Sequence, residues 1–166
     1  MATALFISRT DLVKNTIIDG NLDSDKFLQF LKISQEIHIQ NYLGSKLYNR
    51  ISADVIAGTL TGDYLALVND YIQPMLIHYA MMDYLPFAAF SVKNGGVFKG
   101  NSETAQTATK DEVDFLVQKE RSFAEYYTRR FVDFICFDSA KFPEYTNNTE
   151  ADVYPEKSVQ YSNIVL

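Results

Sequence analysis

The feature that most constrains the fold is an uninterrupted helical pattern over residues 109–138, which contain neither glycine nor proline. Thr109 and Glu112 have the spacing of a capping box, in which each side chain accepts a hydrogen bond from the backbone N–H group of the other residue. A helix of this length measures roughly 45 Å, about the width of a small domain. Apolar residues at intervals of three and four predict one core-facing side: Val113, Leu116, Val117, Phe123, Ala124, Tyr127, Phe131 and Phe134.

The opposite side of this helix carries charges of alternating sign at four-residue intervals: Arg121, Glu125, Arg129 and Asp133. Each such pair supports an exposed helix by about 0.2–0.5 kcal/mol. The helix also carries the basic residues Lys110, Lys119, Arg121, Arg129 and Arg130, but acidic residues lie between them, so a solvated ion-pair face is about three times as probable as a nucleic-acid surface.

Shorter helical patterns precede the long helix. Capping residues, glycines and prolines place helices over residues 9–15, 24–42, 46–56 and 62–85. Pro74 should kink or restart the last of these, and Pro86 should kink or end it, because proline lacks the backbone N–H group. Residues 74–90 are the most apolar stretch and should be the most buried. Together with the long C-terminal helix, these patterns predict an all-α bundle of about five helices.

Two segments depart from the helical pattern. Asn94-Gly95-Gly96 is a turn signal that favours a small hairpin, followed by a polar loop, so that an insertion occupies residues 92–108. Residues 143–166 have no helical period, and their apolar residues are scattered. We interpret residues 1–142 as one helical bundle domain and residues 143–166 as an extended C-terminal arm, whose spaced apolar residues favour docking on another surface over disorder.

Composition excludes several classes of protein. Acidic residues outnumber basic ones 21 to 15, giving a net charge of −6, which argues against a primary nucleic-acid binder. The single cysteine cannot form an internal disulfide. The first eight residues have no cationic region and too short an apolar run for a signal peptide, and residues 74–90 fall short of a spanning helix. We therefore expect a soluble protein made in the cytoplasm, with no contact to membranes.

Few side chains offer chemistry. His38 and His78 lack metal-ligand spacing, so partly buried structural histidines are the expected outcome. Cys136 is expected to be a core thiol. Asp83 lies in an apolar helix, where a carboxylate needs a partner, and a salt bridge or cap within the bundle is about four times likelier than a functional role. We predict no catalytic, cofactor-binding or metal-binding residues and no enzyme activity.

Eleven tyrosines are more than one small core can bury. Tyrosine is enriched at protein interfaces, because its ring is apolar and its hydroxyl is polar. Together with the arm, this favours a subunit of an assembly over a monomeric enzyme.

Three stretches carry a family resemblance: Asn41-Tyr42-Leu43-Gly44-Ser45-Lys46-Leu47-Tyr48, Asn94-Gly95-Gly96-Val97, and Tyr126-Tyr127 with Arg130-Phe131 and Phe134 leading to Phe142-Pro143-Glu144-Tyr145. In this order, and preceded by Ile17-Ile18-Asp19-Gly20-Asn21-Leu22-Asp23, they resemble small helical proteins from the structural modules of Bacteroides-type tailed phages, including crAss-like phages. Those proteins are similar to the head–tail connector (adaptor) ring proteins that dock beneath the portal.

The resemblance implies a structural virion protein at the head–tail junction, assembled in the host cytoplasm. Its partners would be further copies of itself in a ring, expected to be dodecameric, with the portal protein on one side and a tail-side ring or tail proteins on the other. DNA would pass through the lumen during genome ejection without specific binding, because the acidic balance repels phosphates. In a ring, the candidates for subunit contacts are Arg121, Glu125, Tyr126, Arg129, Arg130, Asp133, Tyr154 and Tyr161.

Two other hypotheses stay open at this point. The first is a small helical cytoplasmic enzyme or regulator that uses Asp83 or His78 in a pocket, which requires one solvent-connected cavity that reaches both side chains. The second is a DNA-packaging accessory protein that binds nucleic acid through the basic residues of the long helix.

Overall fold

Helices account for most of the chain in the computed structural model, which describes residues 4–16, 24–99 and 108–159. Within these ranges the protein is all-α apart from one two-stranded hairpin. Six helices follow one another: α1 (Arg9–Asn15), α2 (residues 24–43), α3 (Ser45–Ala57), α4 (Gly62–Phe87), α5 (Lys110–Phe137) and the short α6 (Pro143–Thr146). The predicted helical bundle with a long C-terminal helix is confirmed. Residues 17–23, 100–107 and 160–166 lie outside the described residues.

Local sequence signals fix several helix ends. The predicted capping box begins α5, where the Glu112 N–H group donates to Thr109 Oγ1 over 3.3 Å and the Thr109 N–H group donates to Glu112 Oε2 over 2.8 Å. Ser8 caps α1 by accepting a hydrogen bond from the Asp11 N–H group. Gly58 ends α3 in the left-handed conformation, at φ +67°.

Helices α2 and α4 each contain one π turn, at Gln35–Ile39 and Val68–Ile72. The second lies just before the following α-helical segment, Gln73–Tyr84, in which Pro74 is the second residue. Proline cannot donate to the carbonyl group four residues back, and a π turn at this point changes the hydrogen-bond pattern around it. Pro86 lies in the 3₁₀ turn Leu85–Phe87 that ends α4, as a stop signal should.

The core lies around α4, which packs against both α2 and α5. Its buried residues include Met75, Leu76, Tyr79 and Ala80. The expectation that burial continues to residue 90 is wrong, because Phe87 and Phe90 are exposed. Helix α4 ends at Phe87, and the chain then turns into the hairpin β1 (Phe90–Lys93) and β2 (Gly96–Lys99), joined at Asn94-Gly95.

The apolar face predicted for α5 is only partly correct. Ala124 and Phe131 are buried as expected, but Leu116 and Phe123 are exposed. The buried line runs instead through Ala124, Thr128, Phe131, Val132 and Ile135. Since each helical residue advances by about 100°, Phe123 and Leu116 lie roughly a quarter-turn away from this line.

Cys136 is also exposed, which contradicts the predicted core thiol. Its neighbour Ile135 takes the core position at that turn of α5, four residues after the buried Phe131. One residue further round the helix, Cys136 no longer faces the bundle.

Among the described residues, no single helix is long and apolar enough to cross a membrane. The bent pair Ser45–Ala57 and Gly62–Phe87, which meet at 102°, passes the same criterion only when taken together, by length and composition.

Candidate functional site

The arm lies on the junction between α2 and α3. Gly44 separates the two helices at φ +74° and ψ 156°, a region that only glycine adopts at low cost. The Ser45 N–H group donates to the Val153 carbonyl oxygen over 2.9 Å, and the Glu156 N–H group donates to the Asn41 carbonyl oxygen over 2.9 Å. The arm therefore satisfies backbone groups that the end of α2 and the start of α3 leave without helical partners.

Side chains of α3 hold the arm as well. Ser45 Oγ donates to Asp152 Oδ2 over 3.1 Å and accepts from the Val153 N–H group over 3.0 Å. Lys46 Nζ donates to the Asn147 carbonyl oxygen over 2.8 Å, and Asn49 Nδ2 donates to Glu150 Oε2 over 2.6 Å. We call this surface, formed by Asn41, Gly44, Ser45, Lys46 and Asn49, the arm seat.

A polar cluster joins α2, α4 and α5. Side chains at helical spacing contribute to it from three helices: Ser34, His38 and Tyr42 from α2, Tyr79 and Asp83 from α4, and Arg121, Glu125 and Thr128 from α5. Sequence analysis singled out only His38, Asp83, Arg121 and Glu125 of this set. The remaining members carry a signal, since Ser34, His38 and Tyr42 recur every four residues along one side of α2.

Asp83 has several partners in this polar cluster. Ser34 Oγ donates to Asp83 Oδ2 over 2.6 Å, and His38 Nε2 lies 3.1 Å from the same oxygen. The His38 ring also stacks on the Tyr79 ring at 4.1 Å between centroids. Burial opposes ionisation of Asp83, but the hydrogen bonds from His38 and Ser34 and the charge of Arg121 outweigh it, so the pKa of Asp83 is lowered. The expected partner of a half-buried carboxylate is thus present.

These groups do not form a catalytic triad. In a catalytic triad, the serine hydroxyl group donates a hydrogen bond to the histidine, and a third residue orients the histidine ring. Here Ser34 and His38 both contact one oxygen of Asp83. The arrangement stabilises a carboxylate and joins α2 to α4.

Buried hydroxyl groups continue the polar cluster into the core. Tyr42 and Tyr79 are hydrogen-bonded to each other, and the Tyr79 and Thr128 hydroxyl oxygens are 3.2 Å apart. Thr128 Oγ1 also donates to the Ala124 carbonyl oxygen over 2.7 Å. Burial raises the pKa of both tyrosines, so their phenols are neutral near pH 7. This series joins α2, α4 and α5 through satisfied polar groups.

His78 lies elsewhere on α4. Its Nδ1 atom is 2.7 Å from Glu120 Oε2 on α5, and its ring stacks on Tyr127 at 5.3 Å between centroids. A cleft of about 200 Å³ borders it, lined by Asn15, Asn69, Gln73, Pro74, Ile77, His78 and Tyr127. Asp83 does not line this cleft, so the shared cavity that the enzyme hypothesis requires is not formed there. Both histidines are partly buried, as predicted.

The outer side of α5 carries exposed aromatic residues. Phe115, Tyr126 and Phe137 follow one another at intervals of 11 residues, close to three helical turns, and are 59%, 59% and 88% exposed. Phe123 is exposed beside this line. We call these four residues the aromatic stripe, which extends over roughly 33 Å at 1.5 Å per residue. Exposed aromatic residues along one side of a helix favour an interaction site, because aromatic side chains are enriched at interfaces.

The predicted interface residues fall into separate places. Arg129 and Asp133 form an exposed pair at 3.7 Å beside the stripe, and Arg130 lies over the Tyr71 ring at 5.4 Å. Arg121 and Glu125 are partly buried, and their charges act on Asp83 and Tyr42 of the polar cluster. Tyr126 belongs to the stripe, and Tyr154 is exposed on the arm. Tyr161 lies outside the described residues.

No metal-binding cluster occurs in the described part of the chain, where three or more histidine, cysteine, aspartate or glutamate side chains nowhere converge in a suitable way.

The chain belongs to a family of unknown function, DUF6712, whose model matches residues 39–155. The match begins in α2 just before the arm seat and ends at Pro155, the arm residue that contacts Gly44. Neither the curated proteins nor the solved structures contain a significant match to the chain.

Proposed function

We propose that this protein is a structural virion protein, a head–tail connector subunit that forms a ring beneath the portal and extends the DNA channel toward the tail. The observation that carries the proposal is the aromatic stripe of α5, which leaves four large rings exposed along one side of the longest helix. A homo-oligomer covers such a surface with a neighbouring copy, because burial removes apolar area from water.

Charge around the stripe fits an interface. Arg129, Arg130 and Asp133 lie close to Tyr126 and Phe137, so ionic groups surround an aromatic centre. Interfaces of stable complexes have this pattern, with aromatic residues and arginine enriched and a polar rim around them. The net charge of −6 also supports a channel through which DNA slides, because like charges repel the phosphates.

The test compares the full chain with matched variants by light scattering and negative-stain imaging, with and without the portal protein. The paired change Phe123→Ser and Tyr126→Ser disrupts the stripe, whereas Ile56→Ser changes an equally exposed residue of α3 away from it. We expect rings from the wild type and from Ile56→Ser, and at least about tenfold weaker assembly, equivalent to about 1.4 kcal/mol, from the paired change.

Two outcomes would count against the proposal. A strictly monomeric protein that does not bind the portal would remove the connector assignment. If the paired change does not affect ring assembly, the subunits form a ring through contacts other than the aromatic stripe. The enzyme hypothesis has no comparable observation in its favour, since His78 and Asp83 face different surroundings. The DNA-binding hypothesis would gain from a salt-dependent DNA shift at physiological ionic strength.

A further inference from the structure

Exposed residues of α5 form one line along the side of the helix that faces away from the bundle. With 3.6 residues per turn, the directions of these residues lie within about 40° of that of Phe115. We call them the outer line: Phe115, Lys119, Ser122, Tyr126, Arg129, Asp133 and Phe137, all exposed. The buried residues Ala124, Phe131 and Ile135 lie roughly half a turn away.

The outer line is symmetric about Tyr126. Phe115 and Phe137 are each 11 residues from Tyr126, and Lys119 and Asp133 are each seven residues from it. Aromatic residues therefore recur at equal distances on both sides, whereas the charges at equal distances have opposite signs.

This symmetry makes the outer line complementary to a second copy of itself. If two α5 helices pack antiparallel with Tyr126 opposite Tyr126, then Phe115 faces Phe137 of the second copy. In the same arrangement Lys119 faces Asp133 of the second copy. Each of the two contacts occurs twice, because a two-fold axis relates the copies. Aromatic contacts then lie at the centre and at both ends, with ion pairs between them.

Phe123, which lies beside the outer line, fits the same arrangement. Phe123 precedes Tyr126 by three residues, and Arg129 follows it by three. In the antiparallel pair, the Arg129 guanidinium group therefore faces the Phe123 ring of the second copy. Both residues are exposed, and an arginine over an aromatic ring is a favourable contact.

Charge disfavours the opposite orientation. A parallel pair in the same register would place Lys119, Arg129 and Asp133 each opposite the identical residue of the second copy. Like charges that face each other across an interface repel and suppress that arrangement. The charges of the outer line therefore select the antiparallel direction.

We propose that two copies of this protein pair through α5, antiparallel and two-fold symmetric about Tyr126. The contact extends from Phe115 to Phe137, over roughly 33 Å of helix. An isologous contact of this kind joins two copies and then stops. The pair concerns the free protein and does not rest on the connector assignment. A ring that uses the aromatic stripe forms only after the pair separates, because the pair occupies the stripe of both copies.

Cysteine cross-linking tests the direction and the register. Cys136→Ser removes the single cysteine. In that background, Tyr126→Cys places a thiol at the two-fold axis, where helices roughly 8–10 Å apart bring the two Cα atoms within disulfide reach. Phe115→Cys is the matched control, because Phe115 and Tyr126 are both 59% exposed. The two copies of residue 115 lie roughly 33 Å apart in the antiparallel pair.

Under mild oxidation of the free protein, we expect Tyr126→Cys to form a covalent dimer at least about tenfold faster than Phe115→Cys, because pairing raises the effective thiol concentration. A mixture of Phe115→Cys and Phe137→Cys chains should form disulfides between the two kinds of chain, which mass spectrometry identifies. Equal rates for Tyr126→Cys and Phe115→Cys would overturn the inference. Failure of the mixed chains to cross-link would overturn it as well.

Charge reversal is a second measurement that keeps every aromatic residue. Lys119→Asp or Asp133→Lys alone puts like charges opposite each other at two places in the pair. At low ionic strength, where charges are weakly screened, the dimer Kd from sedimentation equilibrium should rise about tenfold. The double variant restores opposite charges and should return the Kd to within about threefold of the wild type.

Circular dichroism should show the same helix content in the wild type and in all three charge variants, so that a change in Kd reports on pairing. A wild-type protein that stays monomeric would overturn the inference. A double variant that associates as weakly as the single ones would also overturn it, because the two charges would then not face each other.

Discussion

Pro155 of the arm lies directly against Gly44, so that a Cβ atom added at residue 44 would come within 2.6 Å of Pro155 Cγ. Gly44 also has φ +74°, which disfavours any side chain. Gly44, which separates α2 from α3, is therefore also the residue of the arm seat against which Pro155 packs. The same residue determines where α2 ends and where the arm packs on the bundle.

Gly44→Ala should consequently destabilise the protein twice, through its backbone conformation and through the contact with Pro155. Gly58→Ala is the control for a positive φ angle alone, because Gly58 has φ +67° and nothing within 4 Å of an added Cβ atom. We expect a loss of about 1 kcal/mol for Gly58→Ala and about 2–3 kcal/mol for Gly44→Ala, measured by urea unfolding. Equal losses would show that the arm does not press on residue 44.

Ser45→Ala should loosen the arm while leaving the bundle intact. The substitution removes the acceptor of the Val153 N–H group and the donor to Asp152, at a cost of about 1 kcal/mol. Limited proteolysis should then cut residues 147–159 faster than in the wild type. Ser52→Ala, in the same helix, is the control, because Ser52 Oγ has no hydrogen-bond partner among the described residues. A cleavage rate equal in all three proteins would refute a role for Ser45 in holding the arm.

Features that depend on neighbouring residues could be predicted from sequence. The capping box at Thr109 and the helix end at Gly58 each follow from a backbone requirement that one or two residues satisfy. The stop at Pro86 has the same origin, since proline has no N–H group to donate. These signals place the helices without reference to their packing.

Features that depend on the packing of helices against one another could not be predicted from the sequence. Apolar residues cover more than half of the α5 circumference, so their spacing fits both a core face through Phe131 and an outer face through Tyr126. Only the position of α4 decides between the two. The arm seat was missed for another reason. Its main hydrogen bonds join backbone groups, Ser45 to Val153 and Glu156 to Asn41, and such bonds leave no side-chain pattern in the sequence.

Low pH should reduce the free energy of unfolding, partly because Asp83 becomes protonated. Since its pKa is lowered in the fold, this carboxylate adds stability above its unfolded pKa of about 4, and the contribution is lost as the pH falls through the folded value. Asp83→Asn should therefore be less stable than the wild type at pH 7, with the difference shrinking below about pH 4. Urea unfolding at several pH values measures this.

Asp70→Asn provides the comparison for this pH series, because Asp70 is an exposed carboxylate of the same helix. Its effect should be small at every pH, as for most surface substitutions. A difference between Asp83→Asn and the wild type that stays constant from pH 7 to about pH 3 would contradict the assigned role of the carboxylate.

Tyr79→Phe should reveal how much the buried hydroxyl series contributes. The change removes one hydroxyl group that contacts both Tyr42 and Thr128, and leaves a buried partner without its hydrogen bond. We expect a loss of about 1–3 kcal/mol in the free energy of unfolding, because an unsatisfied buried polar group costs that much. Tyr126→Phe removes the same atom from an exposed tyrosine and should change the stability by less than about 0.5 kcal/mol. If both variants unfold at the same urea concentration, the hydroxyl series does not stabilise the junction of α2, α4 and α5.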